Sequence, residues 1–166
     1  MNLAFMDSTF NIVRYFQFIN LQWNRRYYEP GEFSVQLPAE EYTSEAVYVF
    51  TKDRPELGII QKREFADGYE GEVIQLSGYF YEYKLNDKIT FPRFLQTGNI
   101  ETLARAIVGT YKGDIPLLQL GTANSPLLGS SITKESTGDG LATVLCEMLE
   151  TQELAFRWYT TTRSTP

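Results

Sequence analysis

At 166 residues, with a hydrophobic share of 43% and a charged share of 22%, the chain has the make-up of one packed globular domain. Its net charge of −6, with 15 scattered basic residues, argues against a general nucleic-acid role. Histidine is absent, which excludes Ser-His and Cys-His nucleophilic pairs and imidazole metal ligands, and the single cysteine, Cys146, excludes an intrachain disulfide and a thiolate zinc cluster.

Aromatic residues are abundant, with 11 Phe, 11 Tyr and 2 Trp, a bias that favours strands. The opening Leu3–Met6 run meets Asp7-Ser8-Thr9, a turn cluster, and has no basic flank, so it does not read as a secretion signal. No apolar run approaches membrane-spanning length, and a soluble protein made in a cytoplasm is expected. Phe10 to Ile19 then reads as a long strand with apolar residues on both faces, sandwiched rather than solvent-faced.

Residues 21–38 are the most informative stretch. Two extended arms flank Pro30-Gly31, where Pro presets φ and Gly supplies the positive φ of a type II turn, so a tight hairpin is the simplest expectation. In the second arm Phe33, Val35 and Leu37 alternate with Glu32, Ser34 and Gln36, the period of a half-buried strand. The first arm concentrates Trp23, Arg25, Arg26, Tyr27 and Tyr28. Either its aromatics fill a core, or the arm is a subunit contact, because Trp, Arg and Tyr bury large rigid area while keeping a polar handle. Two adjacent arginines cannot both be buried unpaired, so at least one should meet a carboxylate, a ring face or a neighbouring chain.

Further along, residues 38–43 have room for one helical turn, Ala46–Thr51 reads as a short strand, and 52–55 as a charged turn. Leu57–Phe65 and Glu72–Tyr83 form an expected antiparallel hairpin around the glycine-rich 67–71. Gly78 marks a bulge or a close backbone approach. The period then changes: Ile100, Leu103, Ala104, Ile107, Val108 and Tyr111 define an amphipathic helix with Asn99 as N-cap and Gly113 as stop. A short apolar piece (115–120) and a Gly/Thr/Asn/Ser-Pro loop (121–131) lead to a second helix carrying Leu141, Val144, Leu145, Met148 and Leu149, with Asp139 as candidate cap. Leu154, Phe156 and Trp158 alternate as a last strand.

The fold class is therefore α+β: mostly antiparallel β, as barrel-like or sandwich sheets, with two amphipathic helices in the C-terminal half and no doubly wound alternation. The expected division is a β region at 1–96 and a helix-strand-helix-strand region at 97–166, packed as one compact unit.

Candidate chemistry is sparse. Glu70 with Glu72, and Glu40 with Glu41, are better explained as solvated surface acid than as a cleft pair. Gly138-Asp139-Gly140 opens a helix, but no phosphate-loop Lys accompanies it. Cys146 has no histidine to activate it and reads as a small core residue. No catalytic, cofactor-binding or metal-binding residue is assigned, and no cofactor is expected.

An aromatic-Arg-Arg-Tyr-Tyr arm followed by Glu-Pro-Gly-Glu-Phe and an alternating strand ending in Leu37-Pro38 resembles the N-terminal hub domains of tail-associated proteins in siphophages and prophages. Residues 57–62, residues 73–80 and the segment Gly140–Trp158 resemble further parts of the same tail-hub family. The resemblance implies a non-enzymatic virion protein built from small β-barrel-like domains with inserted helices. It would form part of the baseplate hub that closes the tail tube and anchors the tip or fibre module. Implied partners are other copies of the chain in a trimer, a distal tail protein and tip or fibre proteins. Members usually continue past this point with a second, barrel-completing half, so the chain is expected to be a fragment or a shortened member. Two other classes stand beside this one: a carbohydrate- or receptor-binding β module, and an enzyme working with carboxylates alone.

Overall fold

In a computed structural model of the chain, residues 2–68 and 71–156 are described. They form two compact units, one running to Glu82 and the other beginning at Tyr83. The boundary falls before the expected 96/97, and the strand at Phe94–Asn99 hydrogen-bonds to Ser131–Ser136 within the second unit.

The first unit is antiparallel throughout. One sheet orders β1 (Leu3–Met6), β2 (Ile12–Phe16), β5 (Tyr48–Thr51) and β6 (Gly58–Ile59) as β2-β1-β5-β6. The other orders β3 (Asn20–Asn24), β4 (Glu32–Pro38), β7 (Lys62–Gly68) and β8 (Gly71–Tyr79) as β3-β4-β8-β7. Neither closes into a barrel among the described residues. Alternation works as expected in β4, where Phe33, Val35 and Leu37 join Leu3, Phe5, Val49, Ile74, Leu76 and Phe80 in one apolar core. Burying each such side chain contributes roughly 1.5–3 kcal/mol. A single 3-10 turn at Ala39–Glu41 fills the expected place after β4.

Three expectations change here. The stretch 10–19 is not one sandwiched strand: β2 is five residues long and lies at a sheet edge, with Ile12, Tyr15 and Ile19 exposed. Phe10, at φ 64, leaves extended geometry, and the Asp7 carboxylate accepts from the Thr9 and Asn11 amides to close the preceding turn. The β3–β4 hairpin forms in the register Trp23↔Phe33 and Asn24↔Glu32, but residues 25–31 make a wide loop instead of a tight turn. Gly31 is not at positive φ. It is glycine because a Cβ there would sit 2.5 Å from Phe80 Cδ2 and 2.6 Å from the Asn24 carbonyl oxygen. The stretch 57–65 splits between sheets: β6 pairs β5, whereas β7 pairs β8 in the expected hairpin. Residues 60–61 connect the two, with Ile60 N–H donating to the Val47 carbonyl (2.9 Å) and Gln61 N–H to the Ser77 carbonyl (3.0 Å).

In the second unit, α1 (Ile100–Tyr111) and α2 (Leu141–Glu150) bury the stripes the periodicity indicated, led by Ile100, Leu103 and Ile107 on α1 and Leu141, Val144, Leu145 and Met148 on α2. Asn99 caps α1 as expected, its Oδ1 accepting from the amides of Glu101 (2.9 Å) and Thr102 (3.4 Å). Asn99→Ala is therefore expected to cost about 1 kcal/mol, and hydrogen exchange at the Glu101 and Thr102 amides should accelerate; unchanged protection there would reject the cap. Gly113, at φ +56, stops the helix. Asp139 does not cap α2. Gly140 holds the N-cap position with no side-chain bond, while the Asp139 carboxylate accepts from Ser136 Oγ (2.6 Å), which lies 2.6 Å from Thr90 Oγ1. The two-stranded sheet of β9 (Phe94–Asn99) and β10 (Ser131–Ser136) was not anticipated. Its polar composition hides the alternation, and Thr97 and Thr133 pair across it through their hydroxyls at 2.7 Å. Leu154–Phe156 is not in a strand, and the remainder of the expected last strand lies outside the described residues.

Candidate interface around Trp23–Tyr28

The register of β3 and β4 places Trp23 opposite Phe33, and its ring packs against both Phe33 (centroids 5.8 Å) and Phe80 (4.8 Å). The indole is half-buried, and its Nε1–H donates to Glu56 Oε2 at 3.2 Å. One residue beyond the end of β3, Arg25 turns to the same carboxylate: Nε lies 2.6 Å from Oε1 and Nη2 donates to Oε2 at 3.0 Å. This is a two-pronged guanidinium–carboxylate pair, the strong form of the interaction. Its partners are unequal, for the Glu56 side chain is 4% exposed and that of Arg25 42%.

Arg26 faces elsewhere. Its Nη1 donates to Glu29 (2.7 Å) and its Nη2 to Glu32 (3.0 Å), and these two acceptors hold its guanidinium above the usual arginine range. Such exposed pairs are individually weak, yet here they brace both sides of one loop. Tyr27 and Tyr28 meet edge to face at 4.8 Å, with Tyr27 58% exposed. At the far end, the Gly31 amide donates to Glu82 Oε1 (3.3 Å) and its carbonyl accepts from the Phe80 amide (2.8 Å).

The five candidate residues thus divide. Trp23 and Arg25 converge on Glu56, Arg26 braces the loop, and of the two tyrosines Tyr27 is exposed and Tyr28 half-buried beside it. Both arginines meet carboxylates, where the charge argument asked that at least one meet a carboxylate, a ring face or a neighbouring chain. Glu56 and Glu82 were not singled out from sequence. The arginines called for a carboxylate, a ring face or a neighbouring chain, but nothing in the local order said which of these it was.

Burial of Glu82 pushes its carboxyl above the ordinary glutamate value of 4.5, and the nearby Glu56 charge adds to that, against the opposing bond from Gly31. A raised folded value means the native state binds the proton more tightly, so the charged form costs stability as pH rises through the window above 4.5. Glu82→Gln keeps the acceptor for Gly31 and removes the charge. It is expected to raise stability modestly at pH 7, with the gain gone below the unfolded value; urea melts at both pH values check this, and an equal gain at both would be the wrong sign of coupling.

The other candidates remain apart. Glu70 lies outside the described residues, Glu72 is exposed on β8, and Glu41 pairs with Arg14 at 3.2 Å. Cys146 is half-buried on α2. Among the described residues, no group of three His, Cys, Asp or Glu side chains is placed to hold a metal ion, and no helix is long and apolar enough to cross a membrane.

A family model described as Siphovirus ReqiPepy6 Gp37-like protein matches residues 5–165. The chain belongs to this family. Its fold is similar to that of the prophage tail protein gp18 from Listeria monocytogenes EGD-e, at TM-score 0.65 and 11% identity over 90% of this chain. A tail protein from Neisseria meningitidis MC58 is similar at TM-score 0.57 and 15% identity, again over 90% of this chain. The chain spans 45% of the length of each of those two structures. No curated protein sequence matches it. This member of the Gp37-like family thus shares an α+β tail-protein fold at low sequence identity, which is evidence about architecture and not about a site.

Proposed function

We propose that the chain is a structural component of a phage or prophage tail tip, forming part of the baseplate hub that closes the tail tube and anchors the tip or fibre module. The observation that carries this reading is membership of a siphovirus family over nearly the whole chain, in a fold shared with a prophage tail protein and a second tail protein. In this reading the chain catalyses nothing and works by being held against neighbouring subunits, including copies of itself in a ring of three. Trp23, Arg25, Arg26, Tyr27 and Tyr28 form one of the contacts. Trp23 and Arg25 set the loop's base on the core, and Arg26 keeps the tyrosine pair in a fixed position, so little conformational entropy is lost on docking.

The test is made on particles. Gold-labelled antibody against the chain should decorate the tail tip of virions from the phage or prophage that encodes it, and an amber mutation in its gene should give tails without a closed tip. Label along the tube, or complete infectious particles from the amber mutant, would discard the hub assignment. For the contact, Tyr27→Ala is the cleaner probe, since Arg25 also supports the fold; unaltered incorporation of that variant into tails would remove the loop from the interface.

A further inference from the structure

The 25–31 loop is tied to the core at both ends, and the two ties differ in kind. At its start Glu56 has a counter-ion: the Arg25 guanidinium reaches it at 2.6 and 3.0 Å, with the Trp23 indole beside. At its end the buried Gly31 donates its amide to Glu82 Oε1 at 3.3 Å. A buried amide without an acceptor costs free energy, so the closing corner of the loop depends on Glu82. That carboxylate meets no cation among the described residues. Arg25 is committed to Glu56 and Arg26 to Glu29 and Glu32. Lys84, on the same 3-10 segment (Tyr81–Asp87), turns to Asp87 at 3.3 Å.

Backbone bonds bring the two acids to one place. The Phe80 amide donates to the Gly31 carbonyl and the Tyr81 amide to the Leu57 carbonyl, both at 2.8 Å. Residue 82 is thereby set beside the loop and beside the 52–57 turn that carries Glu56. Two carboxylates share the foot of one loop, with a single arginine to serve both. The Gly31–Glu82 bond is also long, for hydrogen bonds to an ionised carboxylate run at about 2.7–2.9 Å. Burial holds the Glu82 carboxyl above its ordinary value and the Glu56 charge adds to this, while bonds from its own amide and from Gly31 oppose it without cancelling it.

We propose that Glu82 makes the 25–31 loop a proton-sensitive latch, its Gly31 end closed on the core with the carboxyl protonated and released with it ionised. The sign follows from linkage. In the released loop water reaches Glu82 and its affinity for the proton is ordinary; in the closed loop that affinity is higher. The form that binds the proton more tightly gains as pH falls, so closure strengthens from neutral pH down to 4.5 and levels off below it. The Arg25 end, held by an ion pair, stays in place over that range. Where the Trp23–Tyr28 arm is a subunit contact, as proposed above, docking to it tightens in mild acid. This consequence rests on that reading, whereas the latch itself does not.

The test is amide hydrogen exchange by NMR on the full chain between about pH 7.5 and pH 5, expressed as protection relative to the intrinsic rate at each pH. Gly31 protection is expected to rise several-fold toward the acid end, with a midpoint matching the carbon-detected titration of the Glu82 carboxyl. At the neutral end it should lie well below that of the Leu76 amide, which reports global opening from β8, between β4 and β7. In Glu82→Gln, which keeps the acceptor and has no proton to lose, Gly31 protection should be high and flat over the same range. A flat wild-type profile would overturn the latch, as would a rise that persists in Glu82→Gln. Gly31 protection equal to that of Leu76 throughout would also overturn it, since the loop would then open only with the whole fold. Wild type alone decides the first and last of these. Tyr27→Ala entering tails unaltered removes the contact and leaves the latch, whereas a flat Gly31 profile removes the latch and leaves the contact.

Discussion

Gly78→Ala is expected to cost the fold about 3 kcal/mol or more, at the upper end for a single added methyl group. Gly78 sits in β8 opposite Phe33, where the segment that leaves β6 crosses from one sheet to the other. A Cβ there would land on the Ile59 carbonyl oxygen, 3.0 Å from the Ile59 carbonyl carbon and 3.1 Å from the Gln61 nitrogen. All three are backbone atoms, so no rotamer change relieves the overlap. Moving them would pull on the Gln61–Ser77 hydrogen bond and on the short β5–β6 pairing. Urea denaturation measures the effect as a lower midpoint at unchanged slope. Gly98→Ala is the control: its Cβ would meet only Leu103 Cδ2, at 3.7 Å, and removing a strand glycine should leave stability unchanged or slightly higher. Equal costs at Gly78 and Gly98, or a Gly78 cost below about 1 kcal/mol, would mean the sheets do not press together as described.

Arg25→Ala should cost about 3 kcal/mol and Glu56→Gln nearer 1 kcal/mol, although the two residues share one ion pair. The asymmetry follows from burial. Without Arg25, the Glu56 carboxylate, 4% exposed in the intact protein, keeps the Trp23 indole as its donor among the described residues, a charge short of its counter-ion. In Glu56→Gln, Arg25 is left with a 42% exposed side chain that water can reach, and the new side-chain amide oxygen still accepts from the indole. The combination Arg25→Met/Glu56→Gln leaves no buried charge and should recover much of what Arg25→Met alone loses. A four-variant cycle in urea gives the coupling directly. If Glu56→Gln proved as damaging as Arg25→Ala, the carboxylate would not be the buried partner and this account of the loop would be wrong.

The elements with a strong period were readable from the chain. Phe33, Val35 and Leu37 named the buried face of β4, the 100–111 and 141–149 spacings named two helices, and Asn99 and Gly113 named the limits of the first. Gly78 was readable as a place of close approach, though not what approached it. The failures share a cause. The 10–19 stretch is apolar enough for a central strand, but its strand β2 lies at an edge, because β1 pairs β5 on its other side and no strand among the described residues pairs the free side of β2. The residues of β9 and β10 are polar because that small sheet is open to solvent, so no hydrophobic alternation betrays it. Gly31 invited a positive φ, whereas its real constraint is the Phe80 ring, which comes from a different part of the chain.

The candidate interface divides in the same way. That at least one of Arg25 and Arg26 needed a carboxylate, a ring face or a neighbouring chain was contained in their chemistry. That Arg25 and Trp23 meet Glu56 and Phe80 was not, since these two are recruited only when β4 and β8 come together and the 52–57 turn folds against them, whereas Glu29 and Glu32 are Arg26's neighbours within the hairpin. By itself the sequence determined the strongly periodic local terms: the two helices, the buried face of β4, the cap of α1, and the chemistry ruled out by a lack of histidine and paired cysteine. Those depend on residues a few positions apart. Only the tertiary structure decided which sheet each strand joins, which acid meets which arginine, and which apolar side chains stay in water, because each is a choice among long-range contacts that no local pattern distinguishes.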